Sequence, residues 1–208
     1  MTTQTSAAAT LRVAVLPRTG LLTDAVLVTG GAGLIWASAQ VAFKLPFTPV
    51  PITGQTFSVL LVGASLGTLR GGASALLYVL WGLAAPSLGV HLQIYAPQTG
   101  HGWATITSAS GGYLVSYPFV SALTGWLAEH RWDRRFSSAV GAMLTGNVVI
   151  YLFGLPWLAV VLNTNLEKTL ELGLYPFVPG DTFKLYLAAL ALPGAWKLVG
   201  AAKRRTDR

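Results

Sequence analysis

Two charged residues near the C-terminal end of the chain have the types and spacing of a binding site. Asp181 and Lys184 follow the turn-forming pair Pro179-Gly180 and precede a long apolar run. At this spacing both side chains project from the first turn of a helix, with Asp181 at the N-cap. They either cap the helix and extend to the water interface, or bind a ligand that offers an anionic group to Lys184 and N–H donors to Asp181.

A second polar group lies inside another apolar run. Asn147 and Tyr151 are four residues apart and therefore share one face of a predicted helix. An amide within a membrane helix needs a hydrogen-bond partner, either on a neighbouring helix or in a ligand. A bond between helices is the commoner use, and both alternatives stay open.

The composition around these residues is that of a membrane protein. Of the 208 residues, 53% are hydrophobic and only 10% are charged, which is too few charges to cover the surface of a soluble domain. The absence of Cys excludes a disulfide scaffold and a thiolate metal site. The formal net charge is +7, but the cations lie between apolar runs rather than on one face. We therefore expect the protein to lie in a lipid bilayer and not to bind nucleic acid.

Six apolar runs predict an all-α fold with six transmembrane helices. The second run is expected to end in a turn formed by Arg70, Gly71 and Gly72. Eleven of the fourteen cations fall in the two tails or in alternate connections, which predicts that both termini are cytoplasmic. The remaining connections are long, and we expect them to be structured extracellular loops. The predicted spans are 21–43, 56–69, 73–86, 112–128, 139–162 and 182–202.

The predicted organisation has three parts. Residues 1–20 form a solvated cytoplasmic tail, residues 21–202 form the membrane domain, and residues 203–208 form a basic cytoplasmic C-terminus. Within the first span, Thr29, Gly33 and Ala37 place small side chains on one helix face. Such a face allows close approach of another helix, either inside the bundle or on a partner membrane subunit.

Sequence patterns for catalysis are missing. There is no phosphate-binding loop of the P-loop type, so energy from ATP would have to come from another chain. The two histidines that share one connection have no thiolate or carboxylate beside them and do not make a zinc site. No nucleophile elbow and no pair of catalytic carboxylates is present. We expect neither an enzyme nor a bound cofactor or metal.

Four short segments occur along the chain in a characteristic order. They are FTPVPITGQT (47–56) after Ala39-Gln40, GGYL (111–114), the stretch from Gly-Asn to Gly-Leu-Pro-Trp (146–157), and PGD with Lys184 (179–184). With these segments the chain resembles the BioY family, the biotin-binding S-components of energy-coupling factor (ECF) transporters, from about Thr23 to Ala202. The connection 87–111 departs from the family pattern, because it lacks a glycine-rich stretch with an Asn and reads Ser-Ala-Ser where Gly-Pro-Thr is common.

The resemblance implies a multi-pass protein of the plasma membrane that binds biotin from outside. A T-subunit and two cytoplasmic ATPases would then drive uptake. Asp181 would accept hydrogen bonds from the ureido N–H groups of biotin, and Lys184 would pair with its carboxylate or lie close to its ring. The small residues of the first span would correspond to the surface that docks the T-subunit.

Further binding residues follow from the same resemblance. Gly112 and Tyr113, together with Thr53 and Gln55 of the proline-rich loop, would close over the bicyclic ring. Asn147 and Tyr151 complete the predicted site. Three alternatives remain: an S-component for another small vitamin, an intramembrane enzyme, and a membrane assembly protein that uses only the small-residue face.

Overall fold

The computed structural model of the chain describes residues 10–16, 20–90 and 92–206. Within these ranges the protein is almost entirely helical, with one short antiparallel hairpin in which β1 (Ala42–Phe43) pairs with β2 (Ile52–Thr53). A 3₁₀ turn spans Pro86–Leu88. The helices are α1 (Leu11–Val15), α2 (Leu21–Ala39), α3 (Gln55–Leu66), α4 (Thr68–Ala84), α5 (Gly102–Ile106), α6 (Gly111–Glu129), α7 (Phe136–Leu162), α8 (Leu166–Gly173) and α9 (Val178–Thr206).

Six long helices, α2, α3, α4, α6, α7 and α9, lie at the six predicted apolar runs. The predicted all-α class is therefore confirmed. Among the described residues, three helical segments are long and apolar enough to cross a membrane by length and composition: α2, α7 and Val178–Ala202 of α9. Helices α3 and α4 have 12 and 17 residues, fewer than the roughly 20 that a full span requires.

The turn between α3 and α4 lies at Gly67, so the predicted turn at Arg70 to Gly72 is wrong. Gly67 has φ +88°, a left-handed conformation that glycine adopts without steric cost. Gly71 lies inside α4 instead, where an added Cβ would come within 2.7 Å of the Cα of Gly63. The glycines after Arg70 therefore belong to a close helix crossing, a use that local sequence does not distinguish from a turn.

Helix α6 lies at the centre of the bundle and packs against α3, α4 and α7. Its buried face carries the small residues Ser116, Ser121 and Thr124, each with 0% exposure. The backbones approach so closely that a Cβ on Gly63 would lie 2.2 Å from the carbonyl oxygen of Ser121. Because small residues let dispersion contacts form along the whole crossing, this packing stabilises α6 against its neighbours.

The prediction of a solvated N-terminal tail is wrong for residues 10–16, because α1 packs against α3 and α9. The Arg12 side chain is only 3% exposed, and its Nη2 lies 3.4 Å from Oδ1 of Asp24. Arg70 donates to the same carboxylate at 2.7 and 3.0 Å. This ion-pair network joins α1, α2 and α4. Residues 1–9 and 17–19 of the predicted tail lie outside the described residues.

A second polar cluster joins the α6–α7 connection to α9. The Asp133 carboxylate accepts a hydrogen bond from Nε1 of Trp196 at 2.5 Å, and the Arg134 guanidinium lies over the Trp196 ring at 3.3 Å from its centroid. Burial raises the pKa of Asp133, while the contacts with Trp196 and Arg134 act in the opposite direction. The cluster fixes α9, which continues as a helix to Thr206.

We expect Gly63→Ala to lower the free energy of unfolding by about 1–3 kcal/mol, because the added methyl would overlap the backbone of α6 at Ser121 as well as the hydroxyl of Thr124, and the backbone cannot move aside. Thermal unfolding of the detergent-solubilised protein measures the change. Gly30→Ala is the matched control, since a Cβ there meets nothing within 4 Å. Equal unfolding temperatures for the two variants would contradict the close α3–α6 packing.

Candidate ligand-binding pocket

A pocket lies at the end of the bundle where α3, α6 and α9 begin. It contains about 520 Å³ of space free of atoms, part of it open to solvent. Its walls are the first turn of α3, the first two turns of α9, the proline-rich segment before β2, the connection before α5, and one face each of α6 and α7. An apolar wall with a few convergent polar groups is typical of a small-molecule site.

Four polar side chains from three helices meet at one side of the pocket. Lys184 Nζ lies 3.0 Å from Oδ1 of Asp181 and 3.1 Å from the hydroxyl of Thr56. The Thr56 hydroxyl lies 3.5 Å from the same carboxylate oxygen. The phenol of Tyr151 donates to the other oxygen, Oδ2. The cluster has no net charge, because it contains one carboxylate and one ammonium.

The geometry contradicts the capping and interface interpretation of the charged pair. Helix α9 begins at Val178, so Pro179 and Gly180 lie in its first turn and the predicted N-cap role of Asp181 is wrong. The Asp181 side chain instead accepts from other side chains. The ammonium of Lys184 does not extend to an interface, because its side chain is mostly buried and bonded inside the cluster. Both residues line the pocket.

A neutral polar cluster borders the pocket at the start of α3. The Gln55 side-chain oxygen accepts from the hydroxyls of Thr53 at 3.0 Å and Tyr117 at 3.4 Å. The Gln55 amide nitrogen donates to the phenol of Tyr78. Thr53, Gln55 and Tyr117 line the pocket. Both predicted residues, Thr53 and Gln55, are therefore at the pocket, and their contact with a ligand stays a prediction.

The two neighbouring residues Gly112 and Tyr113, both predicted for the site, have different roles. Tyr113 lines the pocket and donates from its phenol to the carbonyl oxygen of Gly173 at 2.9 Å. Gly112 lies at the contact between α6 and α7, where a Cβ would come 2.4 Å from Cβ of Trp157. The glycine allows α7 to approach and is not part of the pocket lining. It supports the site through packing.

Asn147 lies one helical turn from Tyr151 but does not line the pocket. Its side chain is buried, and within the described part of the chain its Oδ1 has no hydrogen-bond partner. Of the two predicted residues on this face of α7, only Tyr151 reaches the polar cluster. The predicted bond from the amide to another helix is not among the contacts of the described residues.

Several lining residues were missed by sequence reasoning. Tyr117 is four residues after Tyr113 on the same face of α6, a spacing that could have identified it. Tyr95, Ala96 and Thr99 come from the connection 87–111, whose role the sequence pattern left undefined. These residues carry no local motif, because their placement depends on contacts with α2 and α4.

The predicted docking residues lie on the outer side of the bundle. Thr29 and Ala37 are exposed, and Gly33 is half-buried. A Cβ on Gly33 would meet nothing within 4 Å, so this glycine is not required for packing within the chain. The small-residue face of α2 is therefore directed away from the helix bundle.

The sequence model of the BioY family matches residues 2–201. The chain belongs to the BioY family. Among its relatives, the biotin transporter BioY of Rhizobium etli is 34% identical over 154 residues, which cover 71% of this chain and 78% of that protein. The probable biotin transporter BioY of Pyrococcus horikoshii is 34% identical over 142 residues, which cover 68% and 78%.

A solved structure supports the same family fold. The crystal structure of the S-component for biotin from an ECF-type ABC transporter matches with a TM-score of 0.71 at 22% sequence identity. The match covers 85% of this chain and 92% of that chain. The helical bundle described above is thus the S-component fold, and the BioY assignment rests on the sequence.

We expect Lys184→Met and Asp181→Asn each to lower the free energy of unfolding by about 1–3 kcal/mol, because each leaves one buried charge without its partner. The double variant removes both charges and should be more stable than the sum of the two losses predicts. Thermal unfolding of the ligand-free protein measures all four forms. Additive losses would contradict a direct interaction between the two groups.

An exposed pair of the same spacing gives the control. Lys168 Nζ lies 2.8 Å from Oε2 of Glu171 on α8, and both side chains are at least half exposed. Removing either charge should change the free energy of unfolding by less than about 1 kcal/mol.

Proposed function

We propose that this protein is the membrane-embedded subunit that captures biotin from outside the cell for ATP-driven uptake by ECF partner subunits. The observation that carries the proposal is the Asp181–Lys184–Thr56–Tyr151 cluster in the pocket of a BioY family chain. Relatives named as biotin transporters support biotin as the ligand. No observation favours the intramembrane enzyme or the assembly protein over this function.

The cluster suits the ureido ring of biotin better than its carboxylate. Asp181 and Lys184 are 3.0 Å apart, so one ligand group meets both. A ureido group offers N–H donors to the Asp181 carboxylate and a carbonyl oxygen to the Lys184 ammonium or the Thr56 hydroxyl. A carboxylate would be attracted by Lys184 but repelled by Asp181 at the same distance. We therefore assign both residues to the ureido end.

The membrane arrangement belongs to the same proposal. Six helices, α2, α3, α4, α6, α7 and α9, cross the plasma membrane, and both termini are cytoplasmic. The distribution of Lys and Arg supports this orientation. The pocket then lies at the extracellular end, since it is formed where α3, α6 and α9 begin, whereas Arg70 at the start of α4, Arg134 in the α6–α7 connection and Arg204 near the end of α9 belong to the opposite end of the bundle. Biotin would enter from outside without crossing the hydrocarbon region.

The energy for uptake comes from partner chains in this proposal. The partners are an ECF T-subunit and two cytoplasmic ATPases, and no resident cofactor or metal is required. Thr29, Gly33 and Ala37 form the docking surface for the T-subunit. Their exposure and the open space at Gly33 support this role, because small side chains allow a partner helix to approach closely.

Equilibrium binding of labelled biotin to the purified protein in detergent, without ATP, tests the function. We expect selective binding that thiamine and riboflavin do not displace. Asp181→Ala and Lys184→Ala should each weaken the affinity at least tenfold, about 1.4 kcal/mol, because each removes a hydrogen-bonding partner of the ureido group. Lys168→Ala, in the exposed pair of α8, is the matched control and should bind like the wild type.

The outcomes separate the alternatives. Displacement of biotin by thiamine or riboflavin would favour an S-component for another vitamin. Wild-type affinity in both pocket variants would remove the cluster from the binding site. Biotin amide, which lacks the negative charge, should bind nearly as well as biotin; a loss as large as that of Lys184→Ala would place the carboxylate at Lys184.

Docking is tested separately by Gly33→Leu. The larger side chain would hold a partner helix away from α2, so we expect reduced co-purification with the T-subunit and ATPases and unchanged biotin binding. The control is Ala191→Leu at an exposed position of α9. Full assembly of the Gly33→Leu protein with its partners would contradict the proposed surface.

A further inference from the structure

We infer that Tyr78 is a positioning residue for the ligand: it fixes the orientation of the Gln55 amide, so that the pocket presents an N–H donor to an acceptor oxygen of the ligand. The inference rests on the proposed function for the identity of the ligand. Tyr78 is fully buried on α4 and does not line the pocket, whereas Gln55 does. Any effect of Tyr78 on binding must therefore pass through another residue.

A main-chain carbonyl determines which groups donate and which accept in the hydrogen bonds of the Tyr78 phenol. The phenol of Tyr78 donates to the carbonyl oxygen of Ile94 at 3.3 Å, and a carbonyl can only accept. The single phenolic proton is then used, so toward Gln55 the phenol oxygen can act only as an acceptor. The side-chain nitrogen of Gln55 donates to it. A main-chain carbonyl thus determines which side of the Gln55 amide carries the nitrogen.

The oxygen of the Gln55 amide is held in the same orientation by two further hydrogen bonds. The hydroxyls of Thr53 and Tyr117 donate to the Gln55 oxygen at 3.0 and 3.4 Å. The amide nitrogen has two protons, and Tyr78 accepts one of them. The second remains for the pocket. Without the Tyr78 hydroxyl the Gln55 amide can rotate by half a turn, so that its oxygen and nitrogen exchange places. The pocket would then present the amide oxygen, an acceptor, to an acceptor oxygen of the ligand.

The main-chain carbonyl of Ile94, to which Tyr78 donates, is held in place by its neighbours in the chain. The ring of Tyr95 packs so closely on Gly82 that a Cβ there would lie 2.3 Å from the ring, and its phenol donates to the carbonyl oxygen of Val79 at 2.7 Å. On the other side of Ile94, the carbonyl of Gln93 accepts from the indole of Trp36 at 2.9 Å. The connection is therefore a fixed wall of the pocket at this point.

The chemical class of the ligand group follows from the orientation. A free N–H at Gln55 selects a carbonyl or carboxylate oxygen and rejects an N–H donor. A biotin molecule whose ureido N–H groups meet Asp181 still offers acceptor oxygens to Gln55, namely its ureido carbonyl and the oxygens of its carboxylate. Tyr78 would then contribute to selection between biotin and analogues that carry an N–H donor in place of the acceptor at Gln55.

A double-mutant cycle of Tyr78→Phe and Gln55→Ala, with labelled biotin as the probe, tests the inference. Tyr78→Phe keeps the ring and removes only the hydroxyl, and we expect it to weaken binding about fivefold, the loss of roughly one hydrogen bond. The double variant should bind within about twofold of Gln55→Ala alone, because Tyr78 acts only through that amide. If Tyr78 had only a structural role, Tyr78→Phe would weaken biotin binding by the same factor in the wild type and in the Gln55→Ala variant.

Thr124→Val is the matched control, since it removes another fully buried hydroxyl that donates to a main-chain carbonyl, two turns along α6 from the pocket. Its effect on affinity should be below about twofold in both backgrounds. Wild-type binding by Tyr78→Phe, or equal factors with and without Gln55, would overturn the inference.

Failure of the proposed function gives a different pattern. In that case the wild type itself does not bind biotin, and the same cycle is measured by thermal unfolding of the ligand-free protein. Non-additive unfolding losses for Tyr78→Phe and Gln55→Ala support the positioning contact, and additive losses overturn it.

Discussion

Burial of the Asp181 carboxylate is the constraint on which the pocket end of the protein depends. A carboxylate that leaves water is strongly destabilising unless partners surround it. These partners come from three helices: Thr56 on α3, Tyr151 on α7 and Lys184 on α9. Thr56 and Asp181, which are far apart in the sequence, are thereby held in contact, so the interactions that close this end of the bundle also line the pocket.

The rest of the bundle supplies rigidity rather than chemistry. Glycines and small hydroxyl residues let α6 contact its neighbours at backbone distance, as at Gly63 and Ser121. The same principle positions Tyr113, whose ring fills the space beside Gly154 and whose phenol reaches the carbonyl of Gly173. A pocket whose walls are fixed in this way loses little conformational entropy on binding, which favours affinity for a small, rigid ligand.

Sequence reasoning found the residues whose chemistry stands out locally. Asp181 and Lys184 are conspicuous because charges are rare beside apolar runs, and Gln55 lies in a proline-rich motif that resembles the family. Tyr95, which lines the pocket, and Tyr78, which contacts the lining residue Gln55, were not found. An aromatic residue in an apolar helix or in a long connection has no local feature that distinguishes it from an ordinary core residue. The contacts of the Tyr78 phenol with Ile94 and Gln55 exist only in the tertiary structure.

The sequence by itself determined the helical class, the order of the six long helices and the family, because apolar runs and short motifs act over a few residues. It did not determine that the turn lies at Gly67, that Arg12 pairs with Asp24, or that Gly112 lies at the contact with Trp157 and outside the pocket lining. These features depend on contacts between residues far apart in the chain. Only the tertiary structure decides them, because a glycine or an arginine has the same local preferences whichever helix it meets.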